Sequence, residues 1–311
     1  MLLRDYQIDM LSRLSVAWER HRSVLVQMPT GTGKTVLMAE VVRRELSGDS
    51  PAALSSAVSA ADSAAAPASV LVVAHRRELI DQIGNTLTAH GIGTDSVTVE
   101  SIQKLSRASS ADRSAGSSPT LVIVDEAHHA LARTYSMLWD LYPSSRFLGL
   151  TATPCRLSGE PLSELFDVML QSLSIQEFID RGWLSDFEYV SAAPDSRMAM
   201  QVQSLRKKGA DGDYQTKEMA AVMDVPESIE HLYRTYSKFA GGRKGIVYAI
   251  DRDHARHIAG YYSDRGVRAC VIDSRTPSME RDELVAGYRN NTIDVLVNVD
   301  IFGEGFDVPE V

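Results

Sequence analysis

Val24-Leu25-Val26-Gln27-Met28-Pro29-Thr30-Gly31-Thr32-Gly33-Lys34-Thr35 runs from a short apolar segment through a glycine-rich turn into the helical pattern Val36 to Leu46. Strand, glycine loop and helix in that order form the context of a phosphate-binding loop. Gly31 and Gly33 remove side-chain bulk, so backbone N–H groups can converge on phosphate oxygens, and the following helix offers the positive end of its dipole. Pro29, Thr30 and Thr32 complete the turn. Lys34 is placed to reach β and γ phosphates, and Thr35 supplies a hydroxyl of the kind a hard cation such as Mg²⁺ takes as ligand. A glycine turn with a surface lysine is the plain alternative, and the flanking strand and helix argue against it. Met28 departs from the strict pattern, standing where its first glycine would be.

Similar apolar runs recur at Val70 to Ala74, Leu121 to Val124, Phe147 to Leu150, Ile246 to Ile250, Ala269 to Ile272 and Val295 to Val299. Continuous runs of this length suit strands buried on both faces. Helix signals lie between them. Ser174 and Glu177 make a capping-box pattern before Gly182, Asp251 caps a helix closed by Gly266, and Thr276-Pro277 reads as a cap with a first-turn proline. The alternation predicts an α/β protein with doubly wound parallel sheets. The expected organisation is one lobe over 1–190, a linker or helical spacer over 191–242, and a second lobe over 243–311, incomplete at its C-terminal end. Two Ala/Ser-rich stretches, Ser47 to Ser69 and Ser106 to Ser118, read as surface inserts that leave the core intact.

The 311 residues, 44% hydrophobic and 23% charged, describe an ordinary globular chain long enough for about two domains. Cys155 and Cys270 match no paired-ligand spacing, which argues against a zinc site or a disulfide framework and for a reducing, cytoplasmic compartment. No apolar run approaches the roughly 18 residues of a membrane span, and Arg4 and Asp5 interrupt the start where a signal peptide would continue. A formal charge of -9 excludes a uniformly basic surface, so any nucleic-acid site must be a local groove.

Leu121-Val122-Ile123-Val124-Asp125-Glu126-Ala127-His128 is an apolar strand ending in two acids. Ligands of open α/β sheets gather beyond the carboxyl ends of strands, so Asp125 and Glu126 should face the crevice of Lys34. Asp125 would hold Mg²⁺, and Glu126 would polarise the water that attacks a γ-phosphate. Alone, such a pair is most often a solvated turn. His128 and His129, near His75, show no ligand spacing for a metal, and His128 is better placed to sense the γ-phosphate.

With these residues in order, the chain resembles superfamily 2 helicases of the DEAD/DEAH-box type, closest in its motifs to XPB-like and RadD-like proteins and restriction-system motors. Leu3-Arg4-Asp5-Tyr6-Gln7 resembles the adenine-reading motif, which places Arg4 and Gln7 on the nucleotide. Val73 to Leu79 and Thr98 to Gln103 resemble motifs Ia and Ib, which implies nucleic-acid contacts from His75, Arg76, Ser101 and Gln103. Arg76 and Arg77 also sit where a helix begins, an end that an external phosphate would suit better than cations do; two solvated arginines partly offset by Glu78 are the alternative. Thr151-Ala152-Thr153 is similar to motif III, so Thr151 and Thr153, with His128, would couple ATP state to nucleic acid. Gly245 to Ala249 looks like motif IV. Gly303 to Pro309 looks like motif V, with Gly305 and Asp307 on the nucleotide.

The resemblance implies two RecA-like lobes, ATP and Mg²⁺ as cofactors, and ATP-driven helicase or translocase activity, on DNA in preference to RNA. The alternative is an ATP-binding clamp deficient in hydrolysis, or the motor portion of a restriction or defence system. Motif VI, whose arginines reach the ATP in the family, is not found before Val311. The expectation is therefore part of a longer helicase, completed by a C-terminal extension or a partner subunit. Without the arginine, hydrolysis by this polypeptide alone would be about 10³ to 10⁵ slower.

Overall fold

The strands fall where apolar runs let both faces of a sheet be buried. The computed structural model describes residues 3–49, 68–75, 77–107, 118–130, 133–154, 162–191, 196–207 and 214–302. The chain divides into two units, Met1–Phe187 and Glu188–Val311.

The first unit runs α1 (Asp5–Trp18), β1 (Ser23–Gln27), α2 (Lys34–Ser47), β2 (Val70–Ala74), α3 (Arg77–Ala89), β3 (Val97–Ser101), α4 (Ile102–Arg107), β4 (Leu121–Val124), α5 (Arg133–Leu141), β5 (Arg146–Thr151), β6 (Val168–Gln171) and α6 (Ile175–Asp180). The strands form one sheet in the order β3-β2-β4-β5-β1-β6, parallel throughout. Alternate residues of the central strands serve opposite faces. Val24, Val26, Val72, Ile123 and Leu148 enter one core with α1 and α2; Leu25, Leu71, Val73, Val122 and Phe147 enter the other with Tyr135 and Leu138 of α5. Burying each such side chain stabilises the fold by about 1.5 to 3 kcal/mol.

Two strands, β3 and β6, have no counterpart among the apolar runs read from the sequence, and both are sheet edges. An edge strand is half solvated, so Val97-Thr98-Val99-Glu100-Ser101 alternates apolar with polar residues. Ser174 caps α6 as read: its hydroxyl accepts from the Glu177 N–H at 3.2 Å and the Glu177 carboxylate accepts from the Ser174 N–H at 2.8 Å. The Ala/Ser-rich inserts lie mostly outside the described residues.

The second unit runs α7 (Ser196–Gln203), α8 (Thr216–Met223), α9 (Pro226–Phe239), β7 (Gly245–Tyr248), α10 (Arg252–Ser263), β8 (Ala269–Ile272), α11 (Ser278–Arg289) and β9 (Val295–Asn298). Its three strands are parallel in the order β7-β9-β8. Val295 and Val297 pack with Ile258 and Tyr262 of α10 and Ile229 of α9 on one face; Leu296 and Ile272 pack with Tyr288 of α11 on the other. Asp251 caps α10, accepting from the His254 N–H at 2.9 Å. The cap read at Thr276 is corrected. Residue 277, a proline, precedes the first turn of α11, and no side chain caps it. The Thr276 hydroxyl instead accepts from the Asp273 N–H at 3.0 Å, closing the turn after β8. Among the described residues, no helix is long and apolar enough to cross a membrane.

Candidate functional site

The loop after β1 is held open by backbone conformation and by α1. Gly31 and Gly33 have φ of +80° and +79°, the left-handed region that glycine enters without steric cost. Gly33 precedes α2, whose N-terminus carries no side-chain cap; its first-turn N–H groups are thus oriented toward an external acceptor. From α1, the Tyr6 hydroxyl donates to the Thr32 carbonyl at 2.9 Å. Gln7 Nε2 donates to the carbonyls of Thr32 and Gly33 at 3.4 and 3.3 Å, and its Oε1 accepts from the Arg4 N–H at 3.0 Å. The structure thus places the Gln7 amide on the loop backbone. Thr32 is buried, its hydroxyl donating to the Pro29 carbonyl at 2.7 Å, whereas Thr30 is exposed. Lys34 Nζ lies back across the loop, donating to the Met28 carbonyl at 3.4 Å. Met28 is itself fully buried in the core beside α1 and α2, which gives a packing reason for an apolar residue at a position often left to glycine.

Asp125 follows β4, separated from β1 by β5 alone. Loss of solvent and then the adjacent Glu126 carboxylate push its pKa up to about 6, against the opposing pull of a backbone hydrogen bond from Glu126 and the charges of Lys34 and His75. Lys34 and Asp125 therefore feel each other's charge, and Thr35, partly buried, opens the same helix as Lys34. Two neighbouring carboxylates that raise a pKa by repulsion fit a divalent cation, whose charge relieves the repulsion. No group of three or more His, Cys, Asp or Glu is gathered for a metal among the described residues; one or two carboxylates plus a phosphate is the usual Mg²⁺ arrangement.

Glu126 adopts φ 48° and ψ 54°. A non-glycine residue there costs about 1 to 3 kcal/mol and persists only where its surroundings enforce it. His128 Nδ1 lies 3.4 Å from Glu126 Oε2 and 3.1 Å from the Thr151 hydroxyl at the end of β5. That hydroxyl donates to the Thr153 carbonyl at 3.0 Å and accepts from the Thr153 N–H at 3.1 Å. Thr151 also accepts, through its carbonyl, the Met28 N–H at 3.0 Å. Glu126, His128, Thr151 and Thr153 form one connected set at the carboxyl ends of adjacent strands.

The nucleic-acid candidates meet at the neighbouring edge. Ala74 pairs with Ser101 in register, and Gln103 Nε2 donates to the His75 carbonyl at 3.0 Å. The His75 ring lies 4.6 Å from that of His129, which lies 4.1 Å from that of His128. Arg76, Gly305 and Asp307 lie outside the described residues. In the second unit, Asp251, Arg252, Arg256, Ser274 and Arg275 border a crevice of about 470 Å³ beyond the carboxyl ends of β7 and β8. Sequence reasoning missed Trp183 and the role of Tyr6. Trp183 holds the Arg4 guanidinium over its ring at 4.6 Å; no fixed spacing ties it to the loop, so nothing in the linear pattern signals it.

A parallel α/β sheet with a glycine-rich loop after β1, an acid pair after β4 and Thr151 at the end of β5 is the arrangement of a RecA-like lobe. Residues 1–156 match the family described as type III restriction enzyme, res subunit, and residues 227–311 match the helicase conserved C-terminal domain. The chain belongs to the superfamily 2 helicases built from these two domains. It is 32% identical to a 51.5 kDa protein of a Lactococcus phage over 92% of this chain and 57% of that protein. It is 26% identical to the putative ATP-dependent helicase IRC3 of Saccharomyces cerevisiae over 100% of this chain and 46% of that protein. The chain thus spans about half the length of these curated relatives. The Pyrococcus furiosus Hef helicase domain shares the fold, with a TM-score of 0.53, 14% identity, and 99% of this chain and 88% of that one aligned.

Proposed function

We propose that the chain is the motor portion of an ATP-dependent helicase or translocase acting on DNA. Residues 1–190 would form the ATP-binding lobe, 191–242 the connection, and 243–311 part of the second lobe. The observation that supports this reading is topological: the glycine loop that ends in Lys34 follows β1, and Asp125 and Glu126 follow β4 two strands away in the same parallel sheet, near enough for the Lys34 charge to act on Asp125. The relative named as an ATP-dependent helicase supports it.

The residues divide the work. N–H groups of the first turn of α2 hold phosphate oxygens, and Lys34 adds its charge at the β and γ positions. Thr35 and Asp125 would hold Mg²⁺, which when bound neutralises phosphate charge. Glu126 orients the attacking water and takes its proton, held at its strained backbone position beside His128. Thr151 shares His128 with Glu126, so displacement of either is felt by both. His75, Arg76, Ser101 and Gln103 would meet the strand on the adjacent edge.

Glu126→Gln tests the reading. It keeps the shape of the site but removes the proton acceptor, and should lower steady-state ATPase by about 10² to 10⁴ while ATP binding with Mg²⁺ stays within a few-fold. Unchanged turnover in that variant, or no ATP binding by the unsubstituted chain, would refute it.

A further inference from the structure

Trp183 stands where the phosphate loop, α1 and the turn after α6 meet. The turn is set by Gly182, whose φ is +70°, and by the N–H groups of Trp183 and Leu184, which both donate to the Phe178 carbonyl at 2.8 and 3.2 Å. Phe178 is fully buried and meets the Tyr6 ring edge-on at 4.8 Å. This brings the half-buried Trp183 indole against Tyr6 as well, at 5.7 Å between ring centroids. Leu184 is brought against the loop itself, so that a Cβ on Gly31 would lie 3.1 Å from its Cδ2.

The Arg4 guanidinium lies over the indole, 4.6 Å from its centroid. The same side chain donates to the Tyr6 hydroxyl at 3.4 Å, and that hydroxyl donates to the Thr32 carbonyl at 2.9 Å. Arg4 is exposed. A guanidinium is planar and weakly hydrated, and it offers a face to π systems. Left to itself, a long arginine side chain on a surface samples many rotamers, and ordering it costs about 2 kcal/mol. The indole contact pre-orders it, linked through the Tyr6 hydroxyl by two hydrogen bonds to a carbonyl of the phosphate loop.

We propose that Trp183 is a positioning residue for nucleobase recognition: it holds the Arg4 guanidinium beside the phosphate loop as a flat cationic surface on which the base of a bound purine nucleotide stacks. This rests on the reading of the loop as a triphosphate site and of Arg4 as part of the adenine-reading motif, and adds to them the side chain that fixes Arg4 in place. Stacking on arginine planes is a general way of holding bases, and it loses value once the arginine is free to swing.

The test is the ratio of two affinities, for ATP and for inorganic tripolyphosphate, each with Mg²⁺, measured by calorimetry on the 311-residue chain. Trp183→Leu keeps apolar bulk against Tyr6 and removes the π face. It should weaken ATP by about tenfold, equivalent to about 1.4 kcal/mol, and leave tripolyphosphate unchanged. Trp183→Phe restores a π face and should return most of the ATP affinity. An unchanged ratio in Trp183→Leu overturns the proposal, whether both ligands bind as before or both weaken together. The second pattern would mean that Trp183 only braces the loop. An unsubstituted chain that binds neither ligand would bring down the triphosphate reading, and this inference with it; binding of both with an insensitive ratio removes this inference alone.

Discussion

Asp125 carries the largest tension between stability and chemistry at the scale of single residues. Its pKa is pushed up to about 6 from an ordinary value of 3.8, so between these values the folded chain binds a proton that the unfolded chain has released. The ionised side chain therefore costs stability above about pH 6, and the cost disappears below about pH 4, where both states are protonated. Asp125→Asn, measured without divalent cation, should raise stability at pH 7.5 by about 1 to 3 kcal/mol. The gain should shrink toward zero on acidification to pH 4. Urea midpoints along that series check the sign, and a gain that persists at pH 4 would show that packing, not charge, is responsible. Lys34, Thr35, Asp125 and Glu126 could be named from the sequence because Asp125 and Glu126 directly follow β4 and Lys34 and Thr35 open α2 straight after the glycine loop, so a short motif records the element and the residue together. The stack of Trp183 on Arg4 was not, because its partners come from opposite ends of the first unit and meet only through the burial of Phe178.

At the scale of elements, the strands legible in the first unit were the four inner ones of its sheet. The runs at β2 and β4 coincide with their strands to the residue, because a strand buried along its whole length has no polar position to blur its ends. β3 and β6 escaped because each lies at an edge of that sheet and is only partly buried. Gly149 in β5 shows a constraint that composition hides. A Cβ there would lie 2.5 Å from Phe166 Cζ and 2.8 Å from Leu25 Cδ1. Both neighbours are buried, so neither has room to yield. Gly149→Ala should destabilise the chain by about 1 to 3 kcal/mol, the usual cost of overpacking, despite the better strand propensity of alanine. Because Thr151 lies two residues on along the same strand, the shift should also lower ATP turnover. Thermal melts against a Phe166→Leu, Gly149→Ala double variant separate the two terms: relief of the clash should recover stability.

At the scale of the whole molecule, the alternation of strands and helices made two parallel sheets readable, and the division after Phe187 lies three residues before the end of the first lobe expected at 190, where the composition changes. Phe187 and Tyr189 are 67% and 84% exposed, so aromatic residues, usually a sign of core, flank the division. Among the described residues, the candidate triphosphate site draws on Arg4, Tyr6, Gln7, the loop from Met28 to Thr35, Asp125, Glu126, His128, Thr151 and Trp183, all within Met1–Phe187. That unit also has its own two-faced core. A polypeptide of residues 1–187 should therefore unfold in one cooperative transition and bind tripolyphosphate with Mg²⁺ within about threefold of the 311-residue chain, since a threefold change is only about 0.7 kcal/mol. DNA binding by it should weaken, because the region that matches the helicase C-terminal domain, residues 227–311, is absent. Undiminished DNA binding would move the nucleic-acid site wholly to the edge at β3, whereas a loss of tripolyphosphate binding would show that residues beyond Phe187 complete the phosphate site.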